Sequence, residues 1–160
     1  MLEELRAAVV AAGLTGSKVE AGLGVPHERL ADAGTEKERK AAALVTRLTP
    51  CVVFWSPTQE LYDSPDTADP AETRRRVGVV LSALAARGWK EEAPSREEQF
   101  GKKGTYFMAS YVKQGWSLNA RHTAASALDE VKFMATDDAC FSRLTDDERA
   151  LVESQSGSNS

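Results

Sequence analysis

The chain has two cysteines, two histidines, 7% aromatics and no long apolar run, and each shortage removes a class of function. No stretch approaches the ~18–20 consecutive apolar residues of a membrane span. Cys51 and Cys140, with the distant His27 and His122, make neither a zinc pattern nor a CxxC redox motif. No GxGxxG or GxxxxGK[ST] occurs, so a phosphate-cradling loop is not expected, nor is a cofactor. Positive charge is in short supply too: 20 Lys and Arg against 24 Asp and Glu leave a net charge of −4. That balance argues against a phosphate-binding surface and hence against nucleic acid. The first residues do not read as a signal peptide, because Glu3 and Glu4 occupy the place of a positive n-region and Arg6 interrupts Leu5 to Ala12. The mature form of an exported protein would look the same.

At 160 residues, 42% hydrophobic and 28% charged, the chain can bury one ordinary core without help from metal or disulfide. Leu2, Leu5, Val9 and Ala12 recur at helical spacing and Gly13 ends that helix. A Gly-rich segment follows to Gly34, in which Val19, Ala21 and Leu23 alternate as a short extended piece would. Thr35-Glu36-Lys37-Glu38 is a capping box, and the helix it opens buries Ala41, Leu44, Val45 and Leu48 before Pro50. Cys51 to Trp55, β-branched and aromatic between two prolines, is a short buried strand. Asp69-Pro70-Ala71-Glu72 starts the clearest helix, with Val77, Val80, Leu81 and Leu84 as its stripe and Gly88 as its stop.

Beyond it, Trp89 to Glu92 reads as a short strand before a charged loop from Pro94 to Lys103. Thr105–Lys113, Trp116–Thr123 and Leu128–Thr136 alternate as an antiparallel meander, with Gln114-Gly115 as a two-residue turn. Thr145-Asp146-Asp147-Glu148 caps a last helix, Glu148 to Val152. The expectation is an α+β fold: an antiparallel sheet of four to five strands in a β-α-β-β-β-β core, with helices on one face. The expected divisions are an N-terminal helix and Gly-rich segment (1–34), an α+β core (35–153) and a disordered tail (154–160).

The residue types that could carry chemistry are few. Cys140 with His122 and Asp137 or Asp138 suggests a thiol nucleophile of a hydrolase or transferase. Adjacent carboxylates, however, raise a thiol pKa rather than lower it, and no glycine-flanked oxyanion loop adjoins Cys140. Asp63, Asp66 and Asp69 are evenly spaced, but Pro65 and Pro70 interrupt them and they serve better as turn and cap residues. No metal site is expected. Arg74-Arg75-Arg76 is a solvated face or a docking patch for an acidic partner, and Lys102-Lys103 beside Phe100 and Tyr106 is a basic–aromatic neighbourhood without wider positive charge. Tyr111 with Arg121 and Lys132 would make an exposed amphipathic sheet surface suited to a protein or small ligand. Two cysteines permit one bridge or two buried thiols, and the residues leave both open.

Cys51-x-x-x-Trp55, Ala86-Arg87-Gly88-Trp89, Gln114-Gly115-Trp116-Ser117-Leu118 and Ala135-Thr136-Asp137-Asp138-Ala139-Cys140 are spread over residues 45–141. In these elements the chain resembles uncharacterised small secreted proteins and lipoproteins of high-GC actinobacteria. The resemblance implies that Cys51 and Cys140 are paired and that the protein is exported, to the envelope or beyond it. It carries no activity, and the chain departs from the pattern in having neither a signal segment nor a lipobox cysteine. The pairing would require the first and last strands to run antiparallel, with the two Cα atoms within about 7 Å. The expected role is a non-enzymatic, envelope-associated or secreted binding domain. The alternatives are a cytoplasmic immunity or regulatory interaction protein with reduced thiols, and a Cys-dependent enzyme.

Overall fold

The computed structural model describes residues 1–14, 18–22, 34–56, 69–102, 104–125 and 128–156. Its elements are α1 (Leu2–Ala11), β1 (Glu20–Ala21), α2 (Glu36–Leu48), a 3-10 turn (Thr49–Cys51), β2 (Val52–Trp55) and α3 (Pro70–Ala85). Then come β3 (Lys90–Phe100), β4 (Gly104–Lys113), β5 (Trp116–Ala125), β6 (Leu128–Asp137), α4 (Asp138–Phe141) and α5 (Asp146–Ser156). The strands form one antiparallel sheet in the order β1-β2-β6-β5-β4-β3. The class is the expected α+β fold, with six strands rather than four to five.

Both extra pieces lie at sheet edges, where burial leaves little pattern. β1 is two residues long and pairs with Val53 and Phe54 of β2. β3 takes in the segment from Pro94 to Phe100 that reads as a charged loop. All of its 11 residues are exposed, and its register shifts twice between Glu91 and Arg96, around Pro94. A strand with no buried face has no reason to alternate apolar and polar residues, and proline is tolerated where a bulge interrupts the ladder. Ser95, inside that irregularity, finds its acceptor in the Glu91 side chain at 2.8 Å.

One face of the sheet is covered. Leu5, Ala8 and Val9 of α1 and Val77, Val80, Leu81 and Leu84 of α3 share a core with Phe107, Ala109, Leu118, Ala120, Val131, Phe133, Ala135, Val53 and Trp55. The first helix is therefore part of the main core and not a separate N-terminal unit. Glu4 ties it down further, accepting from Lys113 Nζ at 2.6 Å and from Trp89 Nε1 at 2.9 Å. Helices α1 and α3 end in the same way. Gly13 and Gly88 both take positive φ, 71° and 90°, and each is followed by a buried apolar residue whose N–H returns to the last turn: Leu14 to Val9, Trp89 to Leu84.

A second, smaller cluster holds Leu44 and Leu48 of α2 with Cys51 and Leu144, and Cys140 and Phe141 pack against it. At its centre Cys51 and Cys140 form a disulfide with a Cα separation of 6.0 Å across 89 residues of sequence. The antiparallel condition is met, since β2 runs against β6 with Val52 opposite Thr136. The short α4, capped by Asp137 on the Ala139 N–H at 2.9 Å, turns Cys140 back towards Cys51. The last helix extends past Val152 to Ser156, into the small polar tail, and residues 157–160 lie outside the described residues.

Candidate functional site

Alternation along the strands assigns every side chain of the meander to a face. Phe107, Ala109 and Tyr111 of β4 lie level with His122, Ala120 and Leu118 of β5, and all six belong to the covered side. Tyr106, Met108, Ser110 and Val112, with Ser117, Asn119, Arg121 and Thr123, belong to the open side. The sequence-expected trio is thereby divided. Arg121 and Lys132 are directly opposite one another on the open face. Tyr111 is half-buried against the main core on the other face. The reason is register: Tyr111 pairs with the fully buried Leu118, and a residue's face is shared with its cross-strand partner. Burial and the nearby Glu91 carboxylate both push the Tyr111 hydroxyl pKa upward. The aromatic beside Arg121 and Lys132 is Tyr106, which stands one pleat along on the open face and reaches Met108 Sδ at 3.8 Å.

The open face consists of transverse rows fixed by the pairing. One row runs Arg96, Met108, Arg121, Lys132 across β3, β4, β5 and β6. The next runs Glu98, Tyr106, Thr123, Glu130. On the other side lie Ala93, Ser110, Asn119, Met134 and Phe54, in which Ser110 Oγ donates to Asn119 Oδ1 at 3.0 Å. Lys132 Nζ pairs with Glu130 at 2.7 Å. Arg96 and Arg121, both exposed, have no carboxylate partner among the described residues. Phe100, Leu128 and Met134 are exposed apolar side chains on this face.

The covered face contains one polar group in an apolar setting. His122 is 2% exposed, and its Nε2 donates to Asp129 Oδ1 at 2.6 Å. Thr73 Oγ1 of α3 donates to the other oxygen of Asp129, also at 2.6 Å. Burial alone would raise the Asp129 pKa, but the hydrogen bonds from His122 and Thr73 outweigh it and hold the carboxyl below its ordinary value. Both carboxylate oxygens are satisfied, and the network staples α3 to the sheet. Sequence inspection singled out His122 but not its partners, which lie 49 residues before it and 7 after it in the chain.

His122 cannot serve Cys140. The sulfur of Cys140 is bonded to Cys51, and the two residues lie towards opposite ends of the meander, six strand residues or about 20 Å apart along β5. Among the described residues no group of three His, Cys, Asp or Glu is arranged to hold a metal ion. Asp69 caps α3 by accepting from the Ala71 N–H at 3.0 Å, while Asp63, Asp66 and His27 lie outside the described residues.

The basic run at the start of α3 is engaged within the chain. Arg74 stacks 3.5 Å above the Phe107 ring and pairs with Glu97 at 3.0 Å. Arg75 and Arg76 both pair with Glu72, whose pKa their hydrogen bonds lower to about 2. It is a self-satisfied face with little unpaired charge left for a partner. No helix among the described residues is long and apolar enough to cross a membrane.

No family model, no curated protein and no solved structure matches the chain.

Proposed function

We propose that the protein is an exported, disulfide-stapled binding domain that engages another protein through the open face of its sheet. The observation carrying this reading is that face itself. Strands β2, β6, β5 and β4 are covered on one side by α1 and α3, while the other side presents Tyr106, Met108 and Met134 beside Arg121 and Lys132. Apolar side chains interleaved with arginine and tyrosine are the composition of protein contact surfaces. A broad, shallow sheet suits another protein better than it suits an enclosed small molecule. The Cys51–Cys140 bridge supports export, since such bonds persist in oxidising compartments. That setting agrees with the resemblance to secreted and lipoprotein-type actinobacterial chains. The edge strand β3, with its charges, Pro94 and two register shifts, is poorly suited to accept an added strand, which leaves the face rather than the edge as the contact.

The test is site-specific photo-crosslinking in the native host, with the crosslinker placed at Met108, at Met134 and, as a control, at Glu36 on α2. Adducts to one protein from the first two positions and none from the third are expected. Adducts from position 36 alone, or none from the open face, would overturn the reading.

A further inference from the structure

The row Arg96–Met108–Arg121–Lys132 says what kind of partner the face takes. Neighbouring strands lie about 4.8 Å apart, so Arg121 and Lys132 stand side by side, with Arg96 about 10 Å from Arg121 on the far side of Met108. Like charges directly opposite on adjacent strands are unfavourable, and among the described residues only Lys132 of this row is relieved, by Glu130. Two arginines without carboxylate partners among the described residues, in a chain of net charge −4, are a local surplus of positive charge. A guanidinium offers a planar fork of donors matched to a carboxylate.

Resting on the docking reading above, we propose that the partner presents an acidic segment with interleaved apolar residues. Its carboxylates lie on Arg96, Arg121 and Lys132, and its apolar side chains lie on Met108 and Met134. The immediate neighbourhood favours discrete carboxylates over a continuous polyanion such as a phosphate polymer. Glu98 and Glu130 stand in the very next row and repel charge that runs on along the strands, while the row on the other side is uncharged. Met108, flanked by the two arginines, gives an apolar contact that a polyphosphate chain cannot use. Methionine is also an adaptable side chain for contacts of this kind.

The test is an NMR titration of the full, oxidised chain with three probes: a synthetic peptide of alternating Glu and Leu, the same peptide with Gln for Glu, and inorganic polyphosphate. The Glu peptide should shift the Met108 and Met134 methyls and the Arg121 and Lys132 amides, and the shifts should weaken as salt is raised. Arg121→Ala and Arg96→Ala should each lower its affinity roughly two- to fivefold, as expected for exposed ion pairs. Their unchanged thermal midpoints would show that the fold is intact. Equal perturbation by the Gln peptide would overturn the acidic assignment while leaving the open face as a docking surface. Tighter binding of polyphosphate at the same residues would overturn the protein-segment assignment. Perturbation confined to other surfaces, or none at millimolar Glu peptide, would overturn the proposal.

Discussion

At the scale of single residues, three positions carry more than their share. Asp129 is the hub of a buried network, and replacing His122 with Ala leaves one of its oxygens without a donor. The expected cost is about 1–3 kcal/mol of unfolding free energy, read from the urea midpoint. Because the folded Asp129 pKa lies below the ordinary 3.8, its contribution is present above that value and is lost as pH falls through the folded value. Asp129→Asn should therefore flatten the acid limb of the stability–pH curve, and an unchanged limb would contradict the network. Gln114 is the one non-glycine described residue with positive φ, 50°, and with Gly115 at 78° it forms the mirror-image turn that hairpins prefer. Gln114→Gly should raise stability by about 0.5–1 kcal/mol, by relieving a left-handed conformation that an L side chain resists. Gly104 is different: a Cβ there would come 2.6 Å from the Phe100 ring and 2.7 Å from the Phe100 carbonyl. Gly104→Ala is expected to cost about 1–3 kcal/mol, measured by thermal melting.

At the scale of elements, local chemistry was the most readable part of the sequence. Thr35 accepts from the Glu38 N–H at 3.2 Å while Glu38 accepts from the Thr35 N–H at 2.8 Å, and Thr145 with Glu148 repeats the arrangement. Asp69 and Pro70 start α3 where their types require. Side-chain faces were readable only where a strand buries one side. The alternation in β4 and β5 is clear, but nothing local says which parity meets the helices, and that is why the sequence pattern alone puts Tyr111 with Arg121. Only the start of β3 is legible, as the short strand from Trp89 to Glu92; its length from Pro94 to Phe100 gives no signal, because an exposed edge constrains only the backbone. The C-terminal elements depend on the bridge. Closing a loop of 89 residues contributes about 4–5 kcal/mol in the chain-entropy account, and Cys140 sits in the cluster that contains Leu144. Cys140→Ser should speed amide exchange in α5 far more than in β5, and equal effects in both would contradict the division into two clusters.

For the molecule as a whole, the bridge and the two unequal faces belong together. One face is committed to α1 and α3, and α1 cannot be removed without opening the core, because Leu5 and Ala8 are fully buried. Leu5→Ala should cost about 2–5 kcal/mol, which treats the N-terminal helix as core and not as an appendage. On the other face Arg96 and Arg121 have no carboxylate partner among the described residues, and the bridge ties the end of β6 to the start of β2. The most direct measurement is the intact mass of the protein from its native host, alkylated before lysis and taken separately from cytosol and from the extracytoplasmic fraction. The account predicts extracytoplasmic protein with no alkyl adduct and a mass lower by the two hydrogens lost to the Cys51–Cys140 bond. Cytosolic protein carrying two adducts would contradict it and favour an intracellular interaction protein with free thiols.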